Sequence, residues 1–324
     1  MLMTNMDIVT TGKEARVVTM PFADALVSLG QSRSDVVVLS ADLSNYTDLI
    51  PFRDAFPDRF FQVGMAEQNM MGIAGGLARS GFLPIAVTYG VFATRRAYDQ
   101  VAMALGTGTV KAIIVAFLPG ITTPFRATHQ ATDDLALMRA IPGMTVIDPA
   151  DSTELRAALY AAAANQGTVY LRGLRGLVEE RFDPEGFIFT IGAARLVRDG
   201  PDVAIVGTGL GTAWALDASE ILAARGISAS LLHVPTLKPL DREAIAALAA
   251  RFAIVHVVEN HSVLGGLASA VAEVVAGIGA PTRVNPIGVP DQWAPAGSLD
   301  YSRSEINLSA ADIVDRVLAT WTRT

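Results

Sequence analysis

Short apolar runs rich in Val and Ile alternate with stretches of helical periodicity along the whole chain, and this alternation most restricts the fold. It points to parallel α/β domains, in which each strand is buried between layers of helices. In the first part the predicted strands are Val36–Leu39, Phe60–Val63, Pro84–Val87, Ala112–Ala116, Thr145–Ile147 and Thr168–Leu171. Helical stretches lie between them, near 21–31, 66–79, 91–105, 132–140 and 151–164. Asp151-Ser-Thr-Glu154 opens the last of these with a capping pattern.

The pattern breaks at Glu179-Glu-Arg-Phe-Asp-Pro-Glu-Gly186, which is charged and turn-rich. The reading is therefore two three-layer, parallel-sheet α/β domains, over 1–180 and 193–324, joined by a linker over 181–192. The second has predicted strands at Val203–Val206, Ala229–His233 and Ile254–Val258, with an edge strand near Thr282–Val284. Its helices lie near 211–225, 241–250, 264–277 and 309–321, the last capped by Ser309 with Asp312.

Composition narrows the function. Half the chain is apolar (51%) and 18% is charged, which suits large cores and a large subunit interface. The net charge of −7 argues against a general nucleic-acid binder. No apolar run is long enough to span a membrane, and Met1–Thr11 lacks the marks of a signal peptide. There is no cysteine, which excludes disulfides and thiolate chemistry, and a cytoplasmic place is expected.

One acid stands out. Glu67 sits in Phe61-Gln-Val-Gly-Met-Ala-Glu-Gln-Asn-Met70, between an apolar strand and a glycine-rich helix. A lone glutamate there reads as a first-turn residue favoured by the helix dipole. Gly72, Gly75 and Gly76 suggest instead a backbone that something approaches closely.

Residues 13–320 resemble the C-terminal half of a transketolase, the pyrimidine-binding domain followed by the terminal domain. Gly64-Met-Ala-Glu-Gln-Asn69 is similar to that family's G-x-x-E-x-N/M signature. Val258-Glu-Asn-His-Ser-Val-Leu-Gly-Gly266 and Pro235-Thr-Leu-Lys-Pro-Leu-Asp241 resemble segments of its terminal domain. The resemblance implies thiamine diphosphate as cofactor, with the Glu67 carboxyl bonded to N1′ of the aminopyrimidine. There it favours the imino form that serves as an internal base; the cofactor supplies the hard step. Tyr89 and Phe92 match the aromatic floor under the pyrimidine, against a plain core-packing reading. Arg95 falls where relatives often carry another aromatic.

Asp42, in Ser40-Ala-Asp-Leu43, reads either as a residue near the cofactor or subunit boundary, or as a turn cap. His129, in Thr128-His-Gln130, matches the histidine that faces the donor sugar; the alternative is a satisfied structural histidine. Arg175, and more loosely Arg16, align with arginines that bind a substrate phosphate.

The chain also departs from the family. Phe125, Phe117 and Tyr46 fall where transketolases carry polar sugar contacts, and Arg126 is new in that loop. Loss of those hydrogen bonds predicts strong discrimination against the usual ketose phosphate. Arg126 is placed to meet a phosphate, carboxylate or sulfonate. The G-D-G…N motif that binds Mg²⁺ and the diphosphate is missing, the one Asp-Gly being Asp199-Gly200 before Pro201. Gly207-Thr-Gly-Leu-Gly211 is only weakly like a phosphate loop.

The resemblance thus implies a separate N-terminal subunit that carries the diphosphate domain and the Mg²⁺ ligands, in an α2β2 assembly around a symmetric pair of these chains. The expected reaction is transfer of a two-carbon ketol unit from a ketose, in the phosphorylated case a sugar phosphate, to an aldose. The alternatives are the β subunit of a 2-oxo-acid dehydrogenase, a deoxyxylulose-phosphate-synthase-like enzyme, or a degenerate structural partner.

Overall fold

The computed structural model describes residues 16–107 and 110–321; the expectation placed on Met1–Thr11 lies outside them. A seven-stranded sheet runs in the order Thr236–Lys238, Thr145–Ile147, Val169–Arg172, Ile113–Phe117, Leu83–Tyr89, Val36–Ser40, Phe60–Gln62. Its strands are parallel except the first, which pairs antiparallel with Thr145–Ile147. The central strands are buried on both faces, as their uninterrupted Val and Ile content requires.

A five-stranded sheet follows, in the order Arg283–Val289, Ile254–Ser262, Val203–Gly207, Ala229–His233, Arg195–Arg198. Arg195–Arg198 is its antiparallel edge. A small antiparallel ribbon joins Arg16–Thr19 to Leu177–Glu180.

The two units are not separable blocks. Thr236–Lys238 comes from the second unit yet completes the first sheet. One apolar cluster contains Leu39, Met70 and Tyr170 together with Val206, Leu237 and Val257.

Local chemistry sets the helix ends. Pro21 opens Pro21–Ser32, where a missing N–H costs nothing. Asp151 accepts the Glu154 N–H at 2.8 Å and caps Ser152–Ala164. Ser309 and Asp312 form a capping box on Ala310–Leu318. The continuous helix expected over 91–105 is instead broken: Phe92–Arg96 and Val101–Leu105 are π-helical, separated by Ala97 at φ −113° and a short α-helical turn over Tyr98–Gln100.

Candidate active site

The first sheet reverses its order beside strand Val36–Ser40, with Phe60–Gln62 on one side and Leu83–Tyr89 on the other. Such switch points open a crevice at the carboxyl ends of the strands. Ser40-Ala-Asp42, Glu67 and Tyr89 all lie at those ends.

Glu67 is the first residue of helix Glu67–Arg79, preceded by a turn in which Gly64 has φ +76°. It is buried at 1% exposure. The Arg96 guanidinium grips it, with Nη1 3.0 Å from Oε1 and 2.9 Å from Oε2. Arg96 also lies over the Phe92 ring, 4.2 Å from its centroid. Of the three glycines, Gly75 alone packs closely within the chain, where a Cβ would stand 2.8 Å from the Ala104 carbonyl. Gly72 and Gly76 are exposed, and no described residue of this chain outside their own helix comes within 4 Å of a Cβ built on either.

The aromatic residues gather around His129. Tyr89 and Phe92 are nearly parallel, 24° apart with centroids 6.0 Å distant. His129 meets Phe92 edge-on at 5.4 Å and Tyr89 at 6.2 Å, and Phe125 leans over it at 4.7 Å. The Thr128 hydroxyl stands 2.9 Å from His129 Nδ1. Phe125 is 53% exposed and Arg126 is exposed, so both stand at the rim.

Burial raises the Tyr89 hydroxyl pKa, and the Arg175 charge opposes that rise. Arg175 also opposes the upward shift that burial imposes on Asp48, whose carboxylate accepts the Gly176 N–H at 3.2 Å. Arg175 is therefore an electrostatic neighbour of the aromatic cluster. It makes no ion pair among the described residues.

Other predicted site residues fall elsewhere. Asp42 is exposed at φ 61°, and its N–H donates to Gln62 Oε1 at 2.7 Å. The Ser40 hydroxyl, not Asp42, caps this turn by accepting the Leu43 N–H. Arg16 lies apart from the cluster, on the exposed ribbon, 3.4 Å from Glu180. Phe117 is fully buried against Phe22, which corrects its reading as a replaced sugar contact. Tyr46 is 55% exposed and close enough to Tyr89 to affect its hydroxyl.

Arg95 does not complete the aromatic floor. It chelates Asp133 (2.7 and 2.8 Å) and lies over Trp293 at 4.9 Å. Trp293 belongs to a segment that braces the His129 loop from the second unit. Gln130 donates to the Ala294 carbonyl at 3.1 Å, and the Gly297 N–H to the Pro124 carbonyl at 3.0 Å. Asn260 closes the same loop at its base, accepting from the Ile121 N–H and donating to the Pro119 carbonyl, both at 3.0 Å. Sequence reasoning missed Arg96, Asp133 and Trp293 as site neighbours. No helical spacing marks them, because Phe92–Arg96 is π-helical and departs from the regular period.

Glu67 beside the Tyr89 and Phe92 rings suits an aminopyrimidine, which needs a buried carboxyl and an aromatic floor. Among the described residues no three His, Cys, Asp or Glu side chains gather to hold a metal ion. At Gly209, φ +50°, a Cβ would collide with the Asp148 carboxylate, so a protein acid fills the loop that resembled a phosphate site.

Residues 15–180 match the transketolase pyrimidine-binding domain, and residues 192–313 the transketolase C-terminal domain. The chain belongs to the transketolase family. It is 46% identical over 299 residues to an uncharacterized transketolase family protein, y4mN, of Sinorhizobium fredii, covering 92% of this chain and 87% of that one. It is 40% identical over 294 residues to the 6-deoxy-6-sulfo-D-fructose transketolase subunit SqwH of a Clostridium species, covering 90% and 91%. A solved structure described as a split gene transketolase, inactive beta4 tetramer, superposes with TM-score 0.83 at 40% identity, over 92% of this chain and 96% of that one. A 1-deoxy-D-xylulose-5-phosphate synthase of Geobacter sulfurreducens is 35% identical, and this chain spans 46% of its length.

Proposed function

We propose that this chain is the C-terminal subunit of a split transketolase, working with a separate subunit that carries the diphosphate domain and the Mg²⁺ ligands. The observation that carries this reading is the buried Glu67 carboxyl group, joined through Arg96 to Phe92 in the Tyr89–Phe92–His129 ring cluster. The pyrimidine half of a thiamine site is present here, and the metal half belongs to the partner. When bound, thiamine diphosphate supplies a stabilised carbanion at its thiazolium carbon. Glu67 holds the proton at N1′, Tyr89 and Phe92 orient the ring, and His129 faces the donor sugar.

The reaction is two-carbon ketol transfer from a ketose to an aldose. Phe125 and Arg126 at the rim favour a donor with an anionic group and fewer polar contacts than an ordinary ketose phosphate. The relative named for a sulfo-fructose supports that preference. Arg175 provides further positive charge beside the ring cluster. The domains divide at a linker over 181–192, two copies form the centre of an α2β2 assembly, and the cysteine-free chain works in the cytoplasm. No helix among the described residues is long and apolar enough to cross a membrane.

The test is calorimetric titration of thiamine diphosphate with Mg²⁺ into this chain, into its diphosphate-domain partner, and into the pair. Binding by the pair alone is expected; tight binding by this chain alone overturns the split site. A deoxyxylulose-phosphate-synthase-like reaction is the second reading, favoured by the relatives of that name. Decarboxylation of pyruvate by the pair decides for it.

A further inference from the structure

The Arg96–Glu67 contact has no place in the proposed chemistry. Both Glu67 oxygens lie at or below 3.0 Å from one nitrogen, Arg96 Nη1, so a single charged donor spans the carboxyl group in a charge-assisted contact. The Glu67 side chain is 2% exposed while that of Arg96 is 46% exposed. Burying a carboxylate away from water is costly unless it is paired, and Arg96 supplies that pairing here. Arg96 also covers one face of Phe92, a ring of the cofactor floor.

Other charged and titratable groups on the packed elements are engaged elsewhere. Arg95 is held by Asp133, the Tyr98 hydroxyl donates to the Leu137 carbonyl, and Asp99 is exposed beside Gln100. Arg79, at the far end of Glu67's own helix, donates to the Gly75 and Ala104 carbonyls. Strand Val36–Ser40 carries no charge. Among the described residues Arg96 alone reaches Glu67.

N1′ of a neutral aminopyrimidine is an acceptor, and so is a carboxylate; they bond only when a proton lies between them. A guanidinium clamped on Glu67 opposes that proton. We infer that Arg96 is a positioning residue, the resident counter-ion of Glu67, which leaves the carboxylate as the aminopyrimidine arrives, while one proton passes from solvent onto Glu67. The inference rests on the thiamine reading above. Charge balances: one buried anion loses its cation and gains a proton, and the half-exposed guanidinium turns to water.

The experiment counts protons. Thiamine diphosphate with Mg²⁺ is titrated into the two-subunit complex at neutral pH, in buffers of different ionisation enthalpy, for wild type, Arg96→Met and Arg96→Lys. Wild type is expected to take up close to one proton per site. Arg96→Met removes the cation that opposes a proton on Glu67, so uptake on binding is expected to fall by more than half. Binding there tightens by about tenfold, or about 1.4 kcal/mol. Arg96→Lys keeps the charge and the uptake, and controls for folding. Equal uptake by wild type and Arg96→Met, or weaker binding by Arg96→Met, overturns the inference and leaves the cofactor reading standing. Absence of binding by the wild-type complex removes that reading, and the inference with it.

Discussion

Replacing Asn260 by Ala tests whether the second unit holds the His129 loop in place. Asn260 is 1% exposed, and its amide makes two hydrogen bonds to loop backbone, with the Ile121 N–H and the Pro119 carbonyl, both at 3.0 Å. Gly120 between them has φ +59°, and a Cβ there would collide with this amide, so the loop is shaped around it. Truncation leaves the buried Ile121 N–H unpaired, while the Pro119 carbonyl still accepts from the Thr122 hydroxyl at 2.7 Å and the Thr122 N–H at 3.2 Å. One unpaired buried group costs about 1–3 kcal/mol. At about 2 °C per kcal/mol for a chain of this size, the melting midpoint falls by roughly 2–6 °C. Urea unfolding monitored by circular dichroism gives the energy, and hydrogen exchange at the Ile121 amide localises it. That amide should lose protection by more than the global change alone explains. A loss below about 1 kcal/mol with Ile121 still protected would mean that other contacts, such as the Gln130–Ala294 bond, hold the loop unaided.

Three further outcomes are expected. Glu67→Gln lowers turnover of the two-subunit complex by about 100-fold or more, the usual scale for a lost acid–base group, with the melting point of the free chain nearly unchanged; full turnover ends the proposed role of Glu67. Phe125→Asp restores a polar group at the rim and improves transfer from unmodified ketose phosphates relative to anionic 6-substituted analogues, measured as a ratio of kcat/KM; an unaltered ratio removes Phe125 from specificity. Burial depresses the pKa of His256 to about 4, so between pH 6.5 and 4 the unfolded chain binds a proton that the folded chain refuses. Stability from this group is therefore complete above about pH 6.5 and is lost as pH falls; in His256→Gln the loss between pH 7 and 4 should shrink by about 2–4 kcal/mol, and unchanged slopes in urea titrations would contradict the assignment.

Much of the frame is legible in the residues. Central strands such as Val36–Ser40 and Ile113–Phe117 announce themselves because burial on both faces demands continuous apolar side chains. The caps at Asp151 and Ser309 are readable because capping is local chemistry. Edge strands are harder. Arg195–Arg198 is short and flanked by charge, and Thr236–Lys238 is three residues between prolines. Both are strands only because a partner edge exists.

At the site, the Glu67 motif marks a buried acid, but nothing in the sequence separates the neighbours Arg95 and Arg96. One turns to Asp133 and the other to Glu67. That divergence depends on the phase of the π-helical turn over Phe92–Arg96, which a regular helical period does not encode. Phe117 misled for a related reason: alignment assigns a position, and the strand's alternation decides which face it takes.

Strand Thr236–Lys238 bears on how such a chain can be divided. It covers the Thr145–Ile147 edge of the first sheet, and Lys238 donates to the carbonyls of Arg139 and Ile141. A protein cut within 181–192 would expose that edge as a row of unpaired N–H and C=O groups, a template for pairing with other chains. The charged, proline-containing segment there is thus a poor place for a proteolytic nick or an expression boundary. A fragment ending at the linker should aggregate where the intact chain stays dispersed, and co-expression of the missing half should rescue it.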